Sequence, residues 1–456
     1  MKKYLFNLKP VKVPKIHTKN RVIKTSIPAP GSAVILNKLF KYESRSMHGQ
    51  LPIVWKRADN FNIYDTRNNK YIDFTSTIFV ANIGHSNKEL KKNIKKSIDN
   101  DLINSYAYAH KIRADYHKKL VKFAGNSFDK AFLMSSGTES TEAAYKLMKM
   151  YGQKIKKRNT GIIAISGNWH GRTTGSQMLS DNIEQNRWIS SKDKDIHHIP
   201  FPYPWVTNED KANLFLNESI KNLEQTGIDL KKDISGLILE TFQGWGAVFY
   251  PKSYVKAIKE LCQKNNILLT FDEMQSGFAR TGRAFGFMHY DVIPDLICCG
   301  KGMGGGIPIS GVIGRKEIMD LPEIGNMSST HSANPLACMA GLTVLDEIKK
   351  NNLIKETKRK GKLLFNVLNE IKSQFSDHIK YVLGKGLIFS IIFHHKNSNK
   401  PDTYLASAIS ERCMQKGLLV VHTGRESIKI GPPLTITDEA LIEGVEVIRE
   451  AIKELV

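Results

Sequence analysis

The sequence predicts an α/β protein, with a mostly parallel central sheet covered by helices on both faces and a smaller α+β domain beside it. Three observations carry that reading. Between residues 130 and 313, short apolar runs alternate with helical periods, the pattern of strands joined by crossover helices. Each run stops at glycine, hydroxyl or charged residues, and the chemically unusual side chains fall at those ends, where ligands bind in such sheets. Beyond residue 335 the alternation gives way to helix, two strands and a closing helix.

Taken in order, residues 1–50 read as an irregular, basic arm, because Pro10, Pro14, Pro28 and Pro30 oppose a continuous helix. Residues 51–90 begin a small domain, with strands at 53–55, 61–64 and 71–74 and a turn over 65–70. Residues 91–335 form the large domain. Strands are expected there at 130–134, 162–165, 236–239, 267–271, 296–299 and 309–313, with a helix over 139–150. Residues 336–456 complete the small domain, with strands at 387–393 and 418–421 and a last helix from Asp438. These C-terminal strands are expected to pair with the N-terminal ones.

Composition removes several function classes. A chain of 456 residues that is 41% hydrophobic has ample material for a core, which excludes wholesale disorder. No stretch reaches the roughly 18 apolar residues of a membrane span, so a channel or transporter is excluded. The basic N-terminus has only Tyr4-Leu5-Phe6 as an early apolar run, too short for a signal peptide, and a cytoplasmic location is expected. Five cysteines without Cys-x-x-Cys spacing predict small buried hydrophobes, with neither a disulfide framework nor a zinc site. The net charge of +23 raises nucleic-acid binding. The lysines are spread along apparent helix faces, however, and no recognition motif accompanies them, so no nucleic-acid partner is expected.

Four segments carry chemistry. Ser136-Gly137-Thr138 is a small turn leading into a helix, where amides and hydroxyls at the positive helix end suit a phosphate; a plain N-cap would look the same. Asp272 follows the apolar run 268–271, and a carboxylate there needs a positive partner, such as a ring N–H⁺, unless it only caps a helix. Lys301 follows 296–299 among the glycines of 300–306, and a lysine desolvated there can lose its proton and attack a carbonyl. A surface lysine in a flexible loop would not explain the strand before it. Trp169-His170-Gly171-Arg172 offers a stacking aromatic and a carboxylate clamp. His170 has no second histidine at ligand spacing, so no metal site is expected.

A phosphate cradle, a stacking aromatic, a buried carboxylate and a nucleophilic lysine together suit a flat, phosphorylated pyridine aldehyde. From about Trp55 onward the chain resembles the class III pyridoxal-phosphate aminotransferases, the ω-amino-acid and acetylornithine group of fold type I. The resemblance rests on Asp73-Phe74 through Gly84-His85, Ser136 to Glu139, His170 to Thr173, Glu240 with Gln243-Gly244, Asp272 to Phe278 with Arg280-Thr281-Gly282, Gly300-Lys301-Gly302, and Thr330-His331 with Asn334-Pro335.

That resemblance implies a pyridoxal 5'-phosphate cofactor held as a Schiff base by Lys301, which also moves the proton of the reaction. It implies Asp272 on the pyridine nitrogen, Gln275 on the ring hydroxyl, Trp169 on the ring face, and Ser136, Gly137 and Thr138 at the phosphate. Thr330 would reach the phosphate of a neighbouring subunit, implying a homodimer with shared active sites. Ile78 and Phe79 would wall the substrate pocket, with Arg172 and Glu240 near the substrate carboxylate. The family's glutamate-switching pair, a glutamate screening an arginine, is replaced here by Trp245 and Lys429. Alanine/pyruvate and glutamate both stay open as partners of an ω-amino acid, diamine or amino sugar. The implied reaction is ping-pong transfer of an amino group to a 2-oxo acid. A racemase, epimerase or aminomutase of the same fold is the alternative within the fold, and a basic binding protein without catalysis the alternative outside it.

Overall fold

The structure is a computed structural model that describes residues 4–396 and 398–456. It divides into two compact units. One comprises residues 89–244 and 248–351; the other comprises the chain up to Lys88, residues 245–247 and residues 352–456.

The first unit is built on a seven-stranded sheet. Its strands are β1 (Lys130–Met134), β2 (Gly161–Ile165), β3 (Ile196–Ile199), β4 (Ile234–Glu240), β5 (Leu268–Asp272), β6 (Leu296–Cys299) and β7 (Ser310–Gly314). They lie in the order β1-β7-β6-β5-β4-β2-β3. Only β7 runs against its neighbours, so the sheet is mostly parallel. The six expected strands appear within two residues of their expected limits. The seventh, β3, reads Ile-His-His-Ile and lacked an apolar run because it sits at the sheet edge. β2, β4, β5, β6 and β7 are buried along their whole length, which is why they read as continuous apolar segments. Helix α1 (Gly137–Lys154) packs Ala144, Leu147 and Met148 into a core with Ile162, Ile238, Leu268, Leu296 and Val312.

This unit extends to Asn351, beyond the expected boundary at 335, because the helix Pro335–Lys350 belongs to it. Gly341 of that helix faces the Tyr116 ring so closely that a Cβ there would collide with it. Asn334 caps the helix by accepting from Leu336 N and Ala337 N at 2.9 and 3.3 Å.

The second unit joins both ends of the chain, and of the two C-terminal strands expected to pair with the N-terminal ones only the second does, since Ile388–Phe393 pairs instead with Ile379–Lys385 and Ser427–Ile430. Leu418-Leu419 pairs in parallel with Ile72-Asp73, and Ile23, Ile27, Ile63, Tyr71, Met414 and Leu419 share one core. The N-terminal segment is more ordered than its prolines suggest, with short strands at Ile16–His17 and Val22–Ile23 and a helix at Ser32–Tyr42. Arg21 and Thr18 bind the Glu443 carboxylate at 2.7 and 2.6 Å, fastening this segment to the last helix. All five cysteines are free and buried. Among the described residues no helix is long and apolar enough to cross a membrane.

Candidate active site

The parallel register of β4 and β5 sets Glu240 opposite Asp272 at adjacent strand ends. β6, next in the sheet, ends one residue before Gly300, and Lys301 follows with φ +45°, a left-handed conformation uncommon for a side chain bearing a Cβ. The same strand-end rule therefore delivers a lysine and two carboxylates to one edge of the sheet.

Lys301 keeps some surface open, yet burial lowers its pKa, while Asp272 and Glu240 pull it upward. Burial also raises Glu240 to about 7, helped by the charge of Asp272. Glu240 Oε2 accepts from Trp169 N at 3.0 Å and Gly244 N at 3.1 Å, and Gln275 Nε2 reaches Oε1 at 3.4 Å. Asp272 is held from two sides. Its Oδ1 accepts from Met274 N at 3.0 Å, and its Oδ2 lies 2.9 Å from His170 Nδ1. A carboxylate only accepts, so this contact places a proton on Nδ1.

His170 sits just after β2, fixed by its own N–H to Ser180 Oγ at 2.8 Å. Its role as orienter of Asp272 was not legible, since 102 residues separate the pair. Glu273 was missed as well. It is fully buried and accepts from Ser276 Oγ, Gly286 N and Phe287 N at 2.6 to 2.7 Å, and from Thr241 Oγ1. That carboxylate locks the loop beyond β5.

At the start of α1, Glu139 Oε2 accepts from Ser136 N at 2.6 Å and from Ser136 Oγ at 3.0 Å. Ser136 thus spends its hydroxyl on its own capping box, and the amides of Gly137 and Thr138, first in the helix, lack intrahelical acceptors. Gly137 lies against Met274 Sδ, where a Cβ would come within 2.8 Å. Trp169 is half-buried with the Arg172 guanidinium 4.6 Å over its ring. Thr330 is exposed on a turn.

The donor set fits pyridoxal phosphate: an amine whose charged form burial disfavours, an oriented carboxylate, an aromatic surface, and helix-end amides for a dianion.

The remaining residues singled out from the sequence lie in the other unit. Ile78 and Phe79 belong to the turn Ser76–Phe79, whose four residues all have positive φ, from +47° to +68°. Ile78 is 39% exposed, whereas Phe79 is buried with Lys429 Nζ 4.7 Å over its ring. Trp245 carries the Arg425 guanidinium 3.8 Å over its own ring. Both cations thus rest on aromatic faces.

Residues 43–452 match the family described as aminotransferase class-III. The chain is 32% identical over 409 residues to a mitochondrial acetylornithine aminotransferase of Candida glabrata, covering 88% of this chain and 90% of that one. It is 31% identical to a leucine/methionine racemase of Thermococcus litoralis, covering 92% and 94%. A crystal structure of a Bacillus anthracis aminotransferase superposes with a TM-score of 0.85 at 26% identity, covering 93% of this chain and 98% of that one.

Proposed function

The chain belongs to the class III aminotransferases, pyridoxal-phosphate enzymes of fold type I, and from that membership we propose that it moves an amino group from an amine or ω-amino acid to a 2-oxo acid in two half-reactions. The observation that carries the proposal is Lys301, lowered in pKa by burial at the same sheet edge as the register-paired Glu240 and Asp272.

Pyridoxal phosphate, when bound, supplies an aldehyde that takes up and returns the migrating nitrogen and a ring that accepts electrons from the adjacent C–H bond. Lys301 Nζ would hold it and, once released, carry the proton between the two carbons that exchange it. Asp272, aimed by His170 Nδ1–H and Met274 N–H, would hold the proton of the ring nitrogen. Gln275 would meet the ring hydroxyl, Trp169 would cover one face and exclude water, and Gly137 and Thr138 would take the phosphate. Ile78, Phe79, Arg172, Glu240, Trp245 and Lys429 make up the proposed substrate set. The acetylornithine and ornithine names among the relatives favour a donor with a terminal amine. A homodimer in which Thr330 reaches the neighbour's phosphate, and a cytoplasmic location, are part of the same proposal.

Racemisation is the second reading, favoured by racemases at 31% identity. Incubation with ¹⁵N-labelled amines and a panel of 2-oxo acids decides between them. Label appearing in a new amino acid supports transfer; scrambled stereochemistry with all label retained on the donor overturns it.

A further inference from the structure

The second turn of α1 carries Glu142, a carboxylate that the chemistry above does not use. Its Oε1 accepts from Thr173 Oγ1 at 2.5 Å and from Ser176 N at 3.0 Å. A threonine hydroxyl has one proton and a carboxylate offers none, so the Thr173 proton is committed to Glu142. In the 2.7 Å contact between Thr138 Oγ1 and Thr173 Oγ1, Thr138 must then be the donor. Thr138 Oγ1 also accepts from Thr173 N at 3.3 Å. The Thr138 hydroxyl proton is therefore directed at Thr173 and withheld from an anion at the helix end.

Two glycines make room for this chain of bonds. A Cβ at Gly171 would collide with Thr138 Oγ1, and one at Gly175 with the Glu142 carboxylate. Further bonds bind the same pieces together, Thr141 Oγ1 to His170 O at 2.7 Å and Ser176 Oγ to Thr138 O at 3.1 Å. The segment fastened in this way, residues 169–173, carries the aromatic and the histidine of the site.

We propose that Glu142 is a positioning residue of the coenzyme site: by ordering Thr173 and Thr138 it clamps the 169–173 segment to the first turn of α1 and reserves the phosphate for backbone amides. The inference rests on the reading of Gly137 and Thr138 as the phosphate cradle.

The test is equilibrium binding of pyridoxal phosphate, and of pyridoxal as a phosphate-free control, to coenzyme-free protein by tryptophan quenching. Glu142→Leu and Thr173→Val should each weaken pyridoxal phosphate roughly 10-fold, the effect of losing one ordered hydrogen bond. Glu142→Gln keeps an acceptor for Thr173 and drops the charge, so it should bind within about 3-fold of wild type. Wild-type affinity in both Glu142→Leu and Thr173→Val overturns the proposal, as does a Glu142→Gln as weak as Glu142→Leu. If Glu142→Leu does not fold, Thr173→Val decides alone. Thr138→Asp tests the underlying reading separately: unless its carboxylate erodes the preference for pyridoxal phosphate over pyridoxal, the cradle lies elsewhere.

Discussion

Replacing Glu240 with glutamine should flatten a pH dependence in the stability of the coenzyme-free protein. Burial first, and the charge of Asp272 second, move the Glu240 carboxyl from 4.5 to about 7. Across that window the native state binds a proton that the unfolded chain has released, so stability falls as the pH rises through it. At 1.36 kcal/mol per tenfold change in proton affinity, the fall totals roughly 3 kcal/mol, complete above about pH 8 and absent below about pH 4. Glutamine removes the titration while its Oε1 can still accept from Trp169 N and Gly244 N. With an unfolding entropy of about 2.1 cal/mol/K per residue, the whole chain melts with about 1 kcal/mol/K, which makes the difference about 3 °C. Calorimetry of both proteins from pH 5 to 8 reads it directly. Glu240→Gln should gain on wild type as the pH rises. Parallel curves, or a Glu240→Gln that loses ground to wild type as the pH rises, would refute the assignment of a raised pKa to this carboxyl.

Lys301→Ala should abolish turnover while the melting temperature of the coenzyme-free protein holds or rises, because an amine whose charged form burial disfavours has been removed; turnover at the wild-type rate would discard the lysine assignment. Asp272→Asn should cut kcat by roughly 100-fold or more and speed coenzyme loss on dialysis, since a neutral amide cannot balance a ring cation. Glu273→Ala should cost about 3 kcal/mol or more in urea unfolding by stranding the buried N–H groups of Gly286 and Phe287; a loss under about 1 kcal/mol would show that the loop finds other acceptors.

The strand ends were legible because a strand buried on both faces leaves a continuous apolar run, and the first polar residue after it marks the sheet edge. Glu240, Asp272 and Lys301 were found in that way. The helix Ser32–Tyr42 was not, since it opens on Gly31 at φ +95° with no acidic residue in its first turn and follows two prolines. The left-handed turn Ser76–Phe79 gives no local signal either, for it contains no glycine. A local contact and a tertiary one hold it: Asp73 Oδ1 accepts from Thr75 N at 2.8 Å, and Ser76 Oγ donates to Gly431 O at 2.7 Å, across 355 residues. His170, Glu142 and Glu273 were illegible as partners for the same reason. Their roles depend on which residues the fold brings opposite them, and that appears only when strands and helices are placed.

The charges at the sheet edge also bear on what the site selects. Burial lowers the pKa of the Lys301 amine and raises that of the Glu240 carboxyl, in each case disfavouring the charged form. The two oxygens of Asp272 accept from Met274 N and from His170 Nδ1. A carboxylate oriented from two sides would suit a ligand with one localised positive charge at that oxygen. A pyridine ring protonated at nitrogen meets the requirement, and a neutral aromatic aldehyde of the same shape would leave the carboxylate unbalanced.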